Sequence, residues 1–397
     1  MIDLTANDAS AADRSTSRII NRKVLMEYIY RSNGISKSKL ADMLGLSKPA
    51  VSRNVAELLS LGLVEERGTG ESTKNGGKRP VMLHFNQKYQ YIGVVDISGH
   101  RPACAIGDLN HNLLQRKVVK VHKEASVNEK RLGIARAFKD MMNDLAIPAE
   151  KLGVLVISHP GIMGADNDIR FVSTRHSWTN IGLKSYLEDE FSTQVIMDNN
   201  VRLAALGEMN QGVDEPSSEM LYVSCGVGIG GGLIINGKVY EGRNRAAGEI
   251  GNFILCNGRS VEGVASINNL ISRTEELYAE NNRSPEELDF DKIIELSKSG
   301  DALVNKCVVD VGQVLGLAIY NASVLLDIQT VIFGGDYVHL GDVLFDAIDE
   351  FINRKTADQH AAFRPKVQRS RLQGIAEIYG GFIMGKDMVL QQRLGIA

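Results

Sequence analysis

A nine-residue run, Ser224-Cys225-Gly226-Val227-Gly228-Ile229-Gly230-Gly231-Gly232, restricts the folds open to this chain more than any other stretch. Five of its residues are glycine, and it lies between Met220-Leu221-Tyr222-Val223 and Leu233-Ile234-Ile235. Both flanks are apolar or β-branched, so the pattern predicts strand, glycine turn, strand. Backbone amides without neighbouring side chains can approach an anion closely, as phosphate-cradling loops do. The same spacing also suits a purely structural turn. The rest of the chain has to decide between the two.

The chain has 397 residues, enough for two or three domains, and its 44% apolar and 23% charged content is that of a globular protein. Cys104, Cys225, Cys256 and Cys307 are widely spaced, with neither a CxxC pair nor a disulfide framework. No apolar run in the sequence reaches the length of a membrane span, and the first residues lack an apolar signal core. These features predict a cytoplasmic protein with no membrane contact.

Charge is unevenly spread. The net charge is −3, yet residues 18–85 carry +6, residues 1–17 carry −2 and the remainder carries −7. A basic module on an acidic body points to a polyanionic partner for the module alone.

Residues 1–17 are rich in Ala, Ser, Asp and Asn and are expected to form a flexible arm. A helix follows, with Val24, Leu25, Tyr28 and Ile29 at helical spacing. Ser36 is placed to cap a second helix ending at Gly45, and Ser47 to cap a third, with Pro49 in its first turn. Helix, short turn, helix, then two strands around a polar tip reads as a winged helix-turn-helix over residues 18–85. The third helix would present Ser47, Lys48, Pro49, Ser52, Arg53 and Asn54 to base edges in the major groove of double-stranded DNA. Ser36 and Lys37, at the start of the second helix, are further candidate DNA contacts. Lys74, Lys78 and Arg79 on the wing can reach phosphates. A protein-docking module is the competing reading of the same pattern.

From residue 86 the pattern changes to strands followed by helices in two groups, which indicates two α/β lobes with a cleft between them. Tyr91–Ile97 is expected as a strand partnered by Ala103–Asp108 and Val118–Val121. Leu152–Ser158 and Val195–Asp198 are further strands. The lobes are placed at about 86–200 plus the C-terminal helix, and about 201–380.

With these motifs in order, residues 18–397 resemble the ROK family, in its branch that joins a winged helix-turn-helix to a sugar-kinase-like body of actin-like, ribonuclease H-like fold. The resemblance rests on Gly77-Lys78-Arg79-Pro80 in the wing, Asp96-Ile97-Ser98-Gly99-His100 at the first phosphate loop and Pro160-Gly161 at a sugar-site turn. It continues with Asp198-Asn199-Asn200 at the family's Asn-Asp motif, Ser224–Gly232 at the second phosphate loop, Gly248-Glu249-Ile250-Gly251-Asn252, Glu262 and Gly334-Gly335. It implies a sugar pocket made by Gly161, Asn199, Asn200, Glu249, Asn252 and Glu262. Arg175 and His176 follow the Pro-Gly turn and, with Arg202, can meet a phosphate or carboxylate. An inter-lobe or surface ion-pair role is the alternative for these three.

Three departures bear on activity. The family's general base is the aspartate of Asn-Asp, and Asn200 stands there; a carboxamide accepts no proton near neutrality, which removes roughly 10²–10⁴-fold in rate. Ser98 and His100 alter the first phosphate loop. Asn252 and Ser260 stand at or near ligands of the family's structural zinc, leaving Cys256 alone, and one thiolate cannot hold tetrahedral zinc. No cofactor is therefore expected, and Phe253, Ile254 and Leu255 are expected to pack the loop instead.

The expected function is a homodimeric or tetrameric, sugar-responsive transcriptional repressor with a pseudo-palindromic operator and no catalytic residues. An active ATP-dependent sugar kinase with a DNA-binding head is the alternative.

Overall fold

The computed structural model describes residues 6–70, 79–99, 102–122, 124–163, 169–172, 181–213, 218–283, 287–357 and 364–395. The side chains of residues 6–18 and of the strands between 162 and 172 are outside what is described here.

Helix α1 (Ala6–Arg31) begins far earlier than composition suggests. Residues 6–17, expected as a loose arm, are helical, because the stretch is alanine-rich and contains no Gly or Pro to break it. Strand β1 (Ile35–Ser36) leads into α2 (Lys37–Leu44), where the Ser36 side chain accepts from the Lys39 amide at 3.2 Å and Gly45 ends the helix at φ 62°. Helix α3 (Lys48–Ser60) is capped by Ser47, and β2 (Val64–Thr69) and β3 (Val81–Phe85) form the wing, in sheet order β1-β3-β2. Leu25, Ile29, Leu40, Val51, Val55 and Leu58 close the core of this head.

The first lobe contains β4 (Tyr91–Asp96), β5 (Ala103–Asp108), β6 (Leu113–Val118), α4 (Val127–Asp144) and β7 (Leu152–His159). A small hairpin, β8 (Gly161–Met163) and β9 (Ile169–Val172), is followed by α5 (Leu183–Phe191) and β10 (Gln194–Asn199). The sheet order is β10-β7-β4-β5-β6, with β10, β7 and β4 parallel. Strand β6 starts five residues before the valine run that was expected to form it. The Asp108 carboxylate accepts from the amides of Asn110 and Asn112 at 2.8 and 3.0 Å, so the chain reverses at once through His111 at φ 63°.

Helix α6 (Asn200–Gly207) leads to the second lobe, which begins with β11 (Met220–Cys225), β12 (Ile229–Ile235) and β13 (Lys238–Val239). Helices α7 (Glu262–Ala265), α8 (Ile267–Glu280), α9 (Phe290–Lys298) and α10 (Ala302–Leu326) follow, then β14 (Thr330–Gly334), α11 (Asp342–Thr356), β15 (Lys366–Arg369) and α12 (Ala376–Leu394). The sheet order is β13-β12-β11-β14-β15. Helix α10 is 25 residues long and apolar enough to cross a membrane by length and composition alone, a test that a core helix also passes. In the fold, Val304, Val308, Leu315 and Ile319 place one face of it in the core of the second lobe.

Helix α12 touches all three units. Ala376 packs with Ala204, Tyr222 and Ile332 at its start, Ile378 and Phe382 join the core under the first sheet, and Leu394 enters the core of the head. Its most extensive packing is on α6, where a Cβ at Gly380 would collide with the Leu203 carbonyl.

Candidate functional site

On the head, the cap geometry of α3 turns Ser47, Lys48, Pro49, Ser52 and Arg53 to solvent. Two expected contact residues are instead structural. Asn54 is 6% exposed, and its Nδ2 donates to the Ala50 carbonyl at 2.9 Å, because its position falls on the buried stripe of α3. Ser36 is 8% exposed and its hydroxyl is taken by the cap of α2. Lys37 pairs with Glu66 on the wing at 2.9 Å. Arg79 is exposed, and Lys78 lies outside the described residues. Lys39, exposed one turn into α2, escaped the sequence reading; its helical spacing opposite Leu40 and Ala41 was the available signal.

In the body, the glycine run forms the turn between antiparallel strands β11 and β12, with Ser224 opposite Gly230. Its glycines allow close packing. A Cβ at Gly231 would stand 2.7 Å from the Gly248 carbonyl, and one at Gly232 would stand 2.7 Å from the Val201 carbonyl. Strand β12 is thus squeezed between α6 and the turn carrying Glu249. The Ile229 amide, at the mouth of the run, donates to the Glu262 carboxylate at 2.8 Å.

The first loop is similarly turned upon itself. Asp96 Oδ1 accepts from the Ser98 amide at 3.0 Å, the Ser98 hydroxyl at 2.7 Å and the Ser158 hydroxyl at 2.8 Å. His100 lies outside the described residues. Glu377, at the start of α12, is pushed up to about 8 by burial and by the Asp96, Glu208 and Asp336 carboxylates.

The residues expected to hold a sugar are only partly brought together. Asn199 caps α6, its side-chain Oδ1 accepting from the Val201 and Arg202 amides at 2.9 and 3.2 Å, while its Nδ2 donates to the Gly161 carbonyl at 3.0 Å. Asn200 follows, half-buried, with no hydrogen bond to its carboxamide among the described residues. The Asn252 carboxamide donates to Glu249 at 3.2 Å. Burial, helped by the Glu262 carboxylate, pushes the Glu249 carboxyl up, against the pull of Arg202. Arg175 and His176 lie outside the described residues.

One residue the sequence reading did not single out, Arg245, completes a small open cleft lined by Asn199, Arg202, Arg245, Glu249 and the backbone of Gly230 and Gly231. Asp198 Oδ1 takes both Arg202 Nη2 and, at 3.5 Å, Arg245 Nη2. Burial holds the Asp198 carboxyl above its usual range against the pull of Arg202. The Asp-x-x-x-Arg spacing of residues 198 and 202 was a legible signal; residue 245 has no local signal linking it to them.

Around Cys256 the loop is closed by backbone. Ile254 and Ser260 form a β-bridge, Val261 donates to the Phe253 carbonyl at 2.9 Å, and the Arg259 guanidinium reaches the Gly263 carbonyl. Phe253 and Leu255 pack on the core as expected. Ile254 does not: it is 70% exposed, because its partner in the bridge turns it outward.

Residues 91–387 match the ROK family. The chain belongs to the ROK family. Residues 23–72 of this ROK protein match the MarR family, over the helices and first wing strand of the head. It is similar to the xylose repressor of Caldicellulosiruptor bescii, 25% identical over 385 residues, covering 92% of this chain and 95% of that one. Its fold overlays a ROK family transcriptional regulator described as a homolog of the E. coli MLC protein, with a TM-score of 0.77 at 20% identity over 95% of this chain and 98% of that chain. A ROK glucokinase from Streptomyces griseus in complex with glucose and AMPPNP overlays 75% of this chain with a TM-score of 0.61 at 21% identity, covering 99% of that chain. The repressor and the regulator span head and body alike; the glucokinase overlay leaves a quarter of this chain uncovered.

Proposed function

We propose that this ROK protein is a DNA-binding repressor of sugar-utilisation genes, acting in the cytoplasm, in which a kinase-like cleft has become a sensor. The observation that carries the reading is the union, in one fold, of a winged helix-turn-helix with an exposed Lys48-Ser52-Arg53 face and a ROK body whose general-base position holds Asn200. Xylose repressors that match along nearly the whole chain support it.

The α3 face enters the major groove, and Lys39 and Arg79 approach phosphates. A homodimer presents two such faces, so the operator is pseudo-palindromic. A sugar derivative between the lobes changes their closure, and α12, packed on α6 at one end and in the head core at the other, carries the change. The cleft works without zinc or nucleotide. Cys256 is exposed and has no thiolate partner, and the loop amide at Ile229 is already taken by Glu262.

Capture of genomic fragments by the full chain, followed by footprinting, tests the reading. It predicts one or more two-fold-symmetric sites near genes of carbohydrate use, and failure to protect any fragment rejects it. The kinase alternative requires a carboxylate base. ATP-dependent turnover of any sugar, lost on changing Asn200, would restore it.

A further inference from the structure

Helix α1 carries an apolar row that the fold leaves uncovered. Ile20, Val24 and Tyr28 recur every fourth residue, so they stand one above another on one face. They are 56%, 36% and 37% exposed, although α3, β3 and α12 all pack on the same helix. Leu25, Met26 and Ile29 point the other way, into the core of the head. Single exposed apolar side chains are ordinary on a surface, but three in register along one helix face form a patch.

The helix is also longer than the head requires. It runs for 26 residues, yet among the described residues the head core takes only Leu25, Met26 and Ile29 from it. Arg22, one turn earlier, is held by Glu57 of α3 at 2.5 Å. A helical segment as long as the one before Arg22 is marginal in water without a packing partner.

The chemistry of the row selects the occupant. Ile20 and Val24 offer nothing to phosphate, which argues against DNA. The exposed charges beside the row are of both signs, Lys23, Glu27 and Arg31, with Arg31 Nε on Glu27 at 2.6 Å. Such a face has no strong field to draw an acidic or a basic partner. An apolar row flanked by mixed charge is self-complementary, as a two-fold contact between identical chains demands. A row spaced by four is moreover a ridge, and two such ridges interdigitate at a crossing angle of about −50°.

We propose that α1 packs across α1 of a second copy of this chain, row against row, with the two-fold axis passing close to Val24. The contact ties two heads together directly and so fixes the separation of their α3 faces. The contact itself stands without the repressor reading; its effect on half-site spacing rests on that reading.

Three side chains fall short of the roughly 800 Å² per partner of a free-standing interface, so proximity rather than mass is the measure. At the crossing point, an interaxial distance of about 8–10 Å less two Cα radii of about 2.3 Å leaves the two Val24 Cα atoms about 4–5 Å apart, within disulfide reach. The test is diamide crosslinking of the full chain, in a Cys256→Ser background because that thiol is exposed. Val24→Cys is expected to give a disulfide-linked dimer roughly ten-fold or more faster than Asp42→Cys, an exposed position on α2 of the same head. Adding Ile20→Glu to Val24→Cys slows the reaction roughly ten-fold; Ile20 is the most exposed of the three, so the fold tolerates the charge. Crosslinking at Val24→Cys no faster than at Asp42→Cys, or at a rate that Ile20→Glu leaves unchanged, overturns the contact. Operator capture is measured separately on the unmodified chain. Protected sites without the crosslink keep the repressor and remove this contact, whereas the crosslink without protected sites keeps the contact and removes the repressor.

Discussion

The head and the cleft are both rich in polar residues, but they use them in opposite ways. In the head, Ser36, Ser47 and Asn54 satisfy backbone groups, and this leaves Lys48, Ser52 and Arg53 pointing into solvent. In the cleft, the polar groups face one another: Asp96 with Ser98 and Ser158, Glu262 with the Ile229 amide, and Asp198 with two arginines. The head is a surface waiting for a polyanion. In the cleft the Ile229 amide and the Asp96 carboxylate are both engaged within the protein, by Glu262 and by Ser98 and Ser158.

The comparison breaks most severely at Asp198 and Arg202. Arg202→Ala leaves the buried Asp198 carboxylate with only its longer contact to Arg245 and is expected to cost about 3–5 kcal/mol of stability, measured by urea unfolding; a loss below about 1 kcal/mol would show that Arg245 replaces it. Next is Arg53→Ala, expected to weaken operator binding by about 1–3 kcal/mol if it reads a base. Asn54→Ala sharpens the contrast within the same helix. It should lower stability by about 1 kcal/mol while leaving sequence preference unchanged in a competition assay.

Smaller effects come from pH, and they run in opposite directions in the two regions. Glu377 has its pKa raised to about 8 in the fold, so its contribution is complete below its ordinary value near 4.5 and is lost as pH rises towards 8. Melting temperature should therefore fall between pH 6 and 8, and Glu377→Gln should flatten that fall. His111, packed edge-on to the Tyr30 ring of the head, which Lys386 of α12 also covers, is lowered to about 3 by burial and by the Lys386 charge. Its contribution is present above its ordinary value near 6.5 and is lost as pH falls towards 3. Below pH 6, protease should cut between head and body faster in wild type than in His111→Asn.

The head was readable because its signals are local. A capping serine, a left-handed Gly45 and a four-residue apolar spacing each fix structure within one or two turns. The two-lobed body was legible in outline for the same reason, since its strands are apolar runs. Strand β6 was misplaced because Asp108 makes its turn with side-chain hydrogen bonds rather than with glycine. The glycine run was ambiguous because its purpose lies 17 residues or more away, in the Gly248 and Val201 backbone it must clear. Arg245 was invisible for a similar reason: only the closed fold brings it to Asp198, 47 positions earlier in the chain.

The central claim is that ligand in the cleft and DNA on the head share one equilibrium. The direct measurement is operator affinity of the full chain, by fluorescence anisotropy at fixed salt, with and without a saturating cleft ligand, paired with ligand affinity with and without operator. Linkage requires the two ratios to be equal. Ligand is expected to weaken operator binding, and operator to weaken ligand binding, by the same factor, roughly 5–150-fold. A ligand that occupies the cleft and leaves operator affinity unchanged would contradict it.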